Sequence, residues 1–252
     1  MTRPLEGKVV LVTRARERAG ELSARLRERG AAPLEAPAIE IEPVGPGGPL
    51  QTAIRDTAMR GFVWVLFTSA AGVDAWFEQA AQLGFDARDL NARVAAVGAG
   101  TGEALRAHGV DPELVPDTYT TEALGEAFPQ GTGKALLPRA DIAPEGLEED
   151  LAAKGWEPLR VDAYRSHPAS ELPEGVREAL ASGEVDAVTF TSASTVEGFV
   201  ALAGPVERPA VVCIGPVTAE AARGAGLKVA AVADPHTLDG LVDAVERALG
   251  RA

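Results

Sequence analysis

Two β-rich runs of this chain end on the same triplet. Phe67-Thr68-Ser69 closes VWVLFTS, and Phe190-Thr191-Ser192 closes AVTFTS, with Ser194 adding a hydroxyl two residues on. A strand-to-helix turn of this kind sits beside unpaired amides and the positive end of a helix dipole, a place suited to carboxylates or phosphates. Two glycine turns extend the pattern: Gly98 with Thr101 in VGAGTGEALRAHGV, and Gly215 with Thr218 in IGPVTAEAARGAGL. Thr120 in VPDTYTTEAL and Thr237 in VADPHTLDGL add one more hydroxyl to each set, and Arg14 and Arg139 each follow a strand directly. Taken singly, each Ser or Thr serves equally as a helix N-cap, and each Arg as a solvated surface charge. Taken together, they predict two hydroxyl- and amide-rich rims that hold an anionic ligand.

Other chemistries fail on spacing. GAGTGE (98–103) has Glu103 where a dinucleotide-binding turn needs its third glycine, and GTGKA (131–135) lacks the spacing and the Ser/Thr of a P-loop. His108, His167 and His236 have no metal-ligand spacing with one another or with Cys213. No G-x-S-x-G elbow occurs, so Ser69 and Ser192 have no sequence-paired base. The single cysteine lies in AVVCIG and reads as buried strand filler.

The elements that must position these residues come in duplicate. LVTRARERAGELSARLRERGAAPLEAPAIEIEP runs against LLPRADIAPEGLEEDLAAKGWEPLRVDAYRSHP at one constant offset, pairing Arg14 with Arg139, Leu22 with Leu147, Leu26 with Leu151 and Gly30 with Gly155. The two Phe-Thr-Ser turns form a second match. The glycine turns form a third, which runs on without a gap to pair Asp117 with Asp234 and Thr120 with Thr237. The chain is two copies of one α/β unit. In each copy a short β-rich run alternates with a stretch of helical spacing, which predicts βαβ units and parallel sheets.

Both copies carry an extended segment at the same point, APLEAPAIEIEPV (32–44) and EPLRVDAYRSH (157–167), each followed by a proline-bounded stretch. Tandem domains splitting near 129–134 are one arrangement. Matched linkers favour the other, in which 1–38 joins 170–252 as a discontinuous domain and 45–160 is inserted. Segments 39–44 and 161–169 would then be hinge strands pairing as a two-stranded ladder, with the two rims facing one cleft.

Composition narrows the partners. With 252 residues, 46% of them apolar, and a net charge of −13, the chain reads as an ordinary globular protein and not a nucleic-acid binder. The longest apolar run, FVWVLF, is too short to span a bilayer, and the N-terminal run VVLV is too short for a signal-peptide core, so a cytoplasmic protein without membrane contact is expected. Residue chemistry alone stops at a two-domain α/β protein that closes on an anionic ligand. A non-catalytic binder of an anionic metabolite stays open beside an enzyme.

At VLVTRA, FTSASTVEGF, CIGPVTAEAARGAGL and ADPHTLDGLVDAV the chain resembles the uroporphyrinogen-III synthase family, in order and spacing over nearly its whole length. The family's usual Thr-Arg-Pro opening is Thr13-Arg14-Ala15 here. The resemblance implies two small α/β domains joined by a ladder, and hydroxymethylbilane, a linear tetrapyrrole with eight carboxylates, as substrate. It implies loss of the terminal hydroxyl as water, inversion of ring D through a spiro intermediate, and closure without a cofactor. It further implies a monomer, with no partner beyond transient contact with the preceding pathway enzyme. Tyr164 matches the family's hinge-strand tyrosine, whose phenol would donate to the departing hydroxyl. Packing is its other role, and Tyr119 is the alternative donor.

Overall fold

A strand that feeds a helix every twenty-odd residues can bury its apolar side chains only by lying beside other strands under a layer of helices. The computed structural model, which describes residues 3–250, shows this arrangement twice. The chain divides between Ile41 and Glu42 and again between Ser166 and His167, so the second unit is inserted into the first.

In the first unit β1 (Val9–Val12), β2 (Ala32–Glu35), β8 (Ala187–Phe190), β9 (Ala210–Cys213) and β10 (Val229–Val232) form one sheet, in the order β10-β9-β8-β1-β2. Every pairing in it is parallel. Its faces are read off the period of two. Val10, Val12, Ala187 and Val212 pack with Leu22 and Leu26 of α1 (Arg16–Glu28) and Leu241 and Val245 of α10 (Leu238–Leu249). Leu11, Val188, Phe190 and Val211 face Val196 and Phe199 of α8 (Ala193–Ala203) and Ala219 and Ala222 of α9 (Pro216–Gly224). Each fully buried leucine contributes roughly 1.5–3 kcal/mol. Thr13 and Thr189 add buried polar stitches between β1 and β8, donating to Thr189 O at 2.8 Å and Leu11 O at 2.9 Å.

The second sheet has the order β3-β7-β6-β4-β5, from β3 (Ile39–Pro43), β4 (Trp64–Phe67), β5 (Arg93–Ala96), β6 (Gly133–Ala140) and β7 (Trp156–Pro168). The pairs β4–β5, β4–β6 and β6–β7 are parallel. Its run β7-β6-β4-β5 repeats β2-β1-β8-β9 element for element, so the sequence duplication is a duplication of topology. Leu147 and Leu151 of α6 (Gly146–Ala153), Leu124 of α5 (Thr121–Ala127) and the tilted and edge-to-face rings of Trp64, Phe128 and Trp156 cover one face. α2 (Pro49–Ala58), α3 (Ala70–Gln82) and α4 (Ala99–Ala107) complete this unit, and α7 (Val176–Ser182) the other. Gly30 and Gly155 end α1 and α6 in the left-handed region, at φ 95° and 94°, where other residues are strained. β3 and β7 carry the chain across its two boundaries and are neighbours in the second sheet. Among the described residues no helix is long and apolar enough to cross a membrane.

Cys213 is the strand filler its sequence suggested: it is fully buried, and desolvation pushes its thiol up to about 12. The thiol is protonated in both folded and unfolded chains below about pH 9; above that only the unfolded chain ionises, so stability falls as pH rises from about 9 towards 12. Cys213→Ala is expected to flatten that alkaline loss in denaturant titrations. At pH 8 a thiol reagent should label the wild-type protein only after unfolding.

Candidate active site

In an open parallel sheet, ligands bind beyond the carboxyl ends of the strands, where the strand order reverses. That point lies between β4 and β6 in the inserted unit and between β8 and β1 in the other. The hydroxyl turns leave β4 and β8 there. Ser69 caps α3, its Oγ accepting from the Gly72 N–H at 3.0 Å. Ser192 caps α8 in the same way from the Thr195 N–H at 3.2 Å, and its Oγ lies 2.9 Å from Ser194 Oγ. Thr120 and Thr237 cap α5 and α10 from the N–H groups of Ala123 and Gly240.

The glycine turns behave differently. Gly98 and Gly215 start α4 and α9 with no side-chain cap. The first-turn amides of Ala99, Gly100 and Thr101 in α4, and of Val217 and Thr218 in α9, have no partner within their helices. Pro216 opens α9 without an N–H. Gly98 is needed for space: a Cβ there would stand 2.6 Å from the Cβ of Tyr119. In the duplicate, His236 takes the place of Tyr119 and lies 3.7 Å from the corresponding point on Gly215. Thr101 and Thr218 themselves are buried, so these turns offer backbone amides more than hydroxyls.

One feature occurs in the inserted unit alone. Tyr164, on β7, is buried to 8% exposure and brings its hydroxyl within 2.9 Å of Ser69 Oγ. Gly72 lies against it: a Cβ there would crowd Pro138 O and Ser69 Oγ at 3.2 Å and stand in ordinary contact with the Tyr164 ring at 3.9 Å. In the other unit Thr195 stands at Gly72's place, Ile39 at Tyr164's, and Ser192 pairs with Ser194 instead of a phenol.

This arrangement has known counterparts. A family model described as uroporphyrinogen-III synthase HemD matches residues 20–243. The chain belongs to the uroporphyrinogen-III synthase family. That family comprises cyclising, lyase-type enzymes of heme biosynthesis that act on a tetrapyrrole. The uroporphyrinogen-III synthase of Synechococcus elongatus is 32% identical over 97% of this chain and 96% of its own. The porphyrin biosynthesis protein HemD of Ruminiclostridium josui is 35% identical over 96% of this chain, which spans about half (49%) of that protein's length. A crystal structure of a mutant uroporphyrinogen III synthase from the extremely thermophilic bacterium Thermus thermophilus superposes with a TM-score of 0.67 at 30% identity, covering 97% of this chain and 100% of that one.

Within this uroporphyrinogen-III synthase fold the two arginines singled out by spacing have different fates. Arg14 is 11% exposed at the end of β1, with Glu21 at 3.8 Å. Arg139 is not the rim arginine its position suggested. It is 2% exposed, and its Nη1 donates to both oxygens of Glu148, at 2.9 and 2.7 Å, and to Pro144 O at 2.7 Å. The constant offset between the copies already holds the signal, because Glu148 falls on Ser23, so the inserted copy has a carboxylate at a position where the other has a hydroxyl. Thr68 and Thr191 are half-buried at the ends of β4 and β8, where they were expected.

Spacing did not flag Asp141, Ser166 or Gly72, which surround Tyr164. A cavity of about 510 Å³ lies at the opposite edge of the inserted unit's sheet, where β4 and β5 begin, lined by Arg60, Phe62, Arg93 and Glu113. Arg93 is tied to Glu113 by two hydrogen bonds, at 2.8 and 2.5 Å, and stacks on Trp64 at 4.0 Å.

Removing Arg139 strands Glu148 beside a protein interior, a change that costs about 3–5 kcal/mol for a buried pair. Arg139→Ala is therefore expected to lower stability on that scale in urea titrations. A variant of wild-type stability with impaired substrate binding would return Arg139 to the rim.

Proposed function

We propose that the chain cyclises hydroxymethylbilane to uroporphyrinogen III, with loss of the terminal hydroxyl as water and inversion of ring D. The observation that carries the reading is the Ser69–Tyr164 hydroxyl pair, a phenol fixed at the strand-order reversal of a rim otherwise made of amide donors and caps. The uncapped starts of α4 and α9 suit carboxylates, each such terminus contributing about 0.3–1 kcal/mol when exposed and more when partly buried. Thr68, Thr120, Thr191, Ser194 and Thr237 supply hydroxyls beside them, and Arg14 supplies charge. The expected division of labour is that amides hold the carboxylates while the phenol attends to the leaving group.

The chemistry asks little of a base. The bilane closes on its own without inversion, so the protein's task is to hold a conformer in which inversion through the spiro intermediate is favoured over direct closure. Either hydroxyl of the pair can donate; in the arrangement proposed for catalysis Ser69 donates to the phenol oxygen and the phenol's own proton goes to the departing hydroxyl. A neutral phenol, with a reference pKa of about 10, keeps that proton across the physiological range. Because the substrate closes without help, rapid transfer from the enzyme that makes it matters. We take the chain to act as a monomer in the cytoplasm that meets that enzyme transiently.

Tyr164→Phe keeps the ring and removes the donor. Turnover is expected to fall roughly 10²-fold with little change in product affinity, and the product should remain type III. A coupled assay resolving type III from type I by chromatography measures turnover and isomer, product inhibition measures the affinity, and a Phe variant of full activity would move the role to Tyr119 or to the substrate. Ala at Thr68, Ser69, Thr191 or Ser192 leaves the amides in place, so each is expected to weaken kcat/KM by only about tenfold. If all four kept wild-type kinetics, the rim would not be a binding surface.

A further inference from the structure

We propose that Asp141 is a positioning residue for the Tyr164 hydroxyl, holding a β-bulge that turns this side chain onto Ser69. The catalytic part of this inference rests on the role proposed above for Tyr164; the positional part does not.

The register of β6 against β7 runs regularly from Gly133↔Trp156 to Arg139↔Asp162 and then jumps, so that Ala140 faces Tyr164. Ala163 is the extra residue. Bulges are uncommon between parallel strands and are known for re-aiming side chains beside active sites. The burial pattern shows the re-aiming directly. Val161 and Ala163 are buried and Asp162 is exposed; after the extra residue, Tyr164 and Ser166 are buried and Arg165 and His167 are exposed. Strict alternation from Val161 would have put Tyr164 on the exposed side with Asp162.

A bulge displaces ladder partners, and something must replace them. Asp141 does so on both sides of Tyr164. Its N–H donates to Tyr164 O at 3.2 Å, and its Oδ1 accepts from the Ser166 N–H at 3.1 Å. Its turn is held in place by Arg160, whose guanidinium donates to the carbonyls of Ala140 at 2.9 Å, Asp141 at 2.7 Å and Ala143 at 2.7 Å. The duplicate shows what the set is for. At the constant offset Asp141 falls on Arg16, Tyr164 on Ile39 and Ser166 on Ile41. The copy with no phenol has an arginine where this carboxylate stands.

The chain has two tyrosines, so protein labelled with ¹³Cζ-tyrosine gives two resonances, which Tyr119→Phe assigns. Asp141→Ala is expected to shift the Tyr164 resonance towards its position in Ser69→Ala, and to lower kcat about tenfold with KM nearly unchanged. Asp141→Asn keeps an oxygen where Ser166 needs one and should restore both. Asp141→Ser, whose hydroxyl is too short to span the bulge, carries the same test if the alanine variant does not fold. A Tyr164 resonance unmoved in Asp141→Ala overturns the proposal, as does an Asn variant that behaves like Ala; a shifted resonance with full turnover overturns its catalytic part and upholds the positional one. Failure of the Tyr164 reading looks different: Tyr164→Phe would then be fully active whatever Asp141 does to the resonance.

Discussion

The first turn of an α-helix presents amides that the helix cannot satisfy, and much of this molecule follows from how those amides are met. Where the chain enters α3, α5, α8 or α10, a Ser or Thr side chain folds back to accept one of them. Where it hands over to α4 or α9, a glycine stands instead and no side chain answers. Because parallel strands all point the same way, their helix starts collect along one edge of each sheet. The caps make that edge rigid, and the two glycine starts leave it open to an acceptor from outside. Stability and recognition thus draw on the same set of donors.

Duplication supplied this edge twice, and a few substitutions made the copies unequal. Thr195 and Ile39 in one copy are Gly72 and Tyr164 in the other, which exchanges a tightly closed cap for a pocket holding a phenol. Arg16 and Ile41 are Asp141 and Ser166; the first copy's strand β2 stops at Glu35, whereas β7 runs on through a bulge with its own clamp. None of these changes touches the core layers, where Leu22 and Leu26 still answer to Leu147 and Leu151. The scaffold tolerates chemical divergence because its chemistry sits at the strand ends and its packing in the strand middles.

That separation also explains what could be read from the residues alone. Strand middles advertise themselves through runs such as KVVLV and WVLF, and caps through Ser and Thr at fixed distances before Leu and Val. The α/β class and the repeated topology were therefore legible, and so were the hydroxyl turns. The Tyr164 environment was not, because it depends on a one-residue slip in pairing. Its trace in the sequence is the adjacent apolar pair Ala163-Tyr164, which interrupts the alternation of VDAYRS. Arg139 misled for a related reason: a strand-end arginine looks alike whether it faces solvent or a carboxylate in the first turn of the following helix. Only comparison of Glu148 with Ser23 separates the cases.

The Arg139–Glu148 pair has a consequence for how such a chain can change over time. A charge pair this deeply covered couples its two positions, because losing either member alone leaves the other without compensation. Set against the 5–15 kcal/mol that holds a typical domain folded, that intermediate sits near the edge of viability. The pair can be inherited or lost as a unit but hardly dismantled by single steps, whereas the first copy has a neutral Ser23 at the corresponding position, bonded to Glu35 instead of to an arginine. Two halves descended from one ancestor are in this way no longer interchangeable: an ordinary-looking ion pair acts as a ratchet on their history.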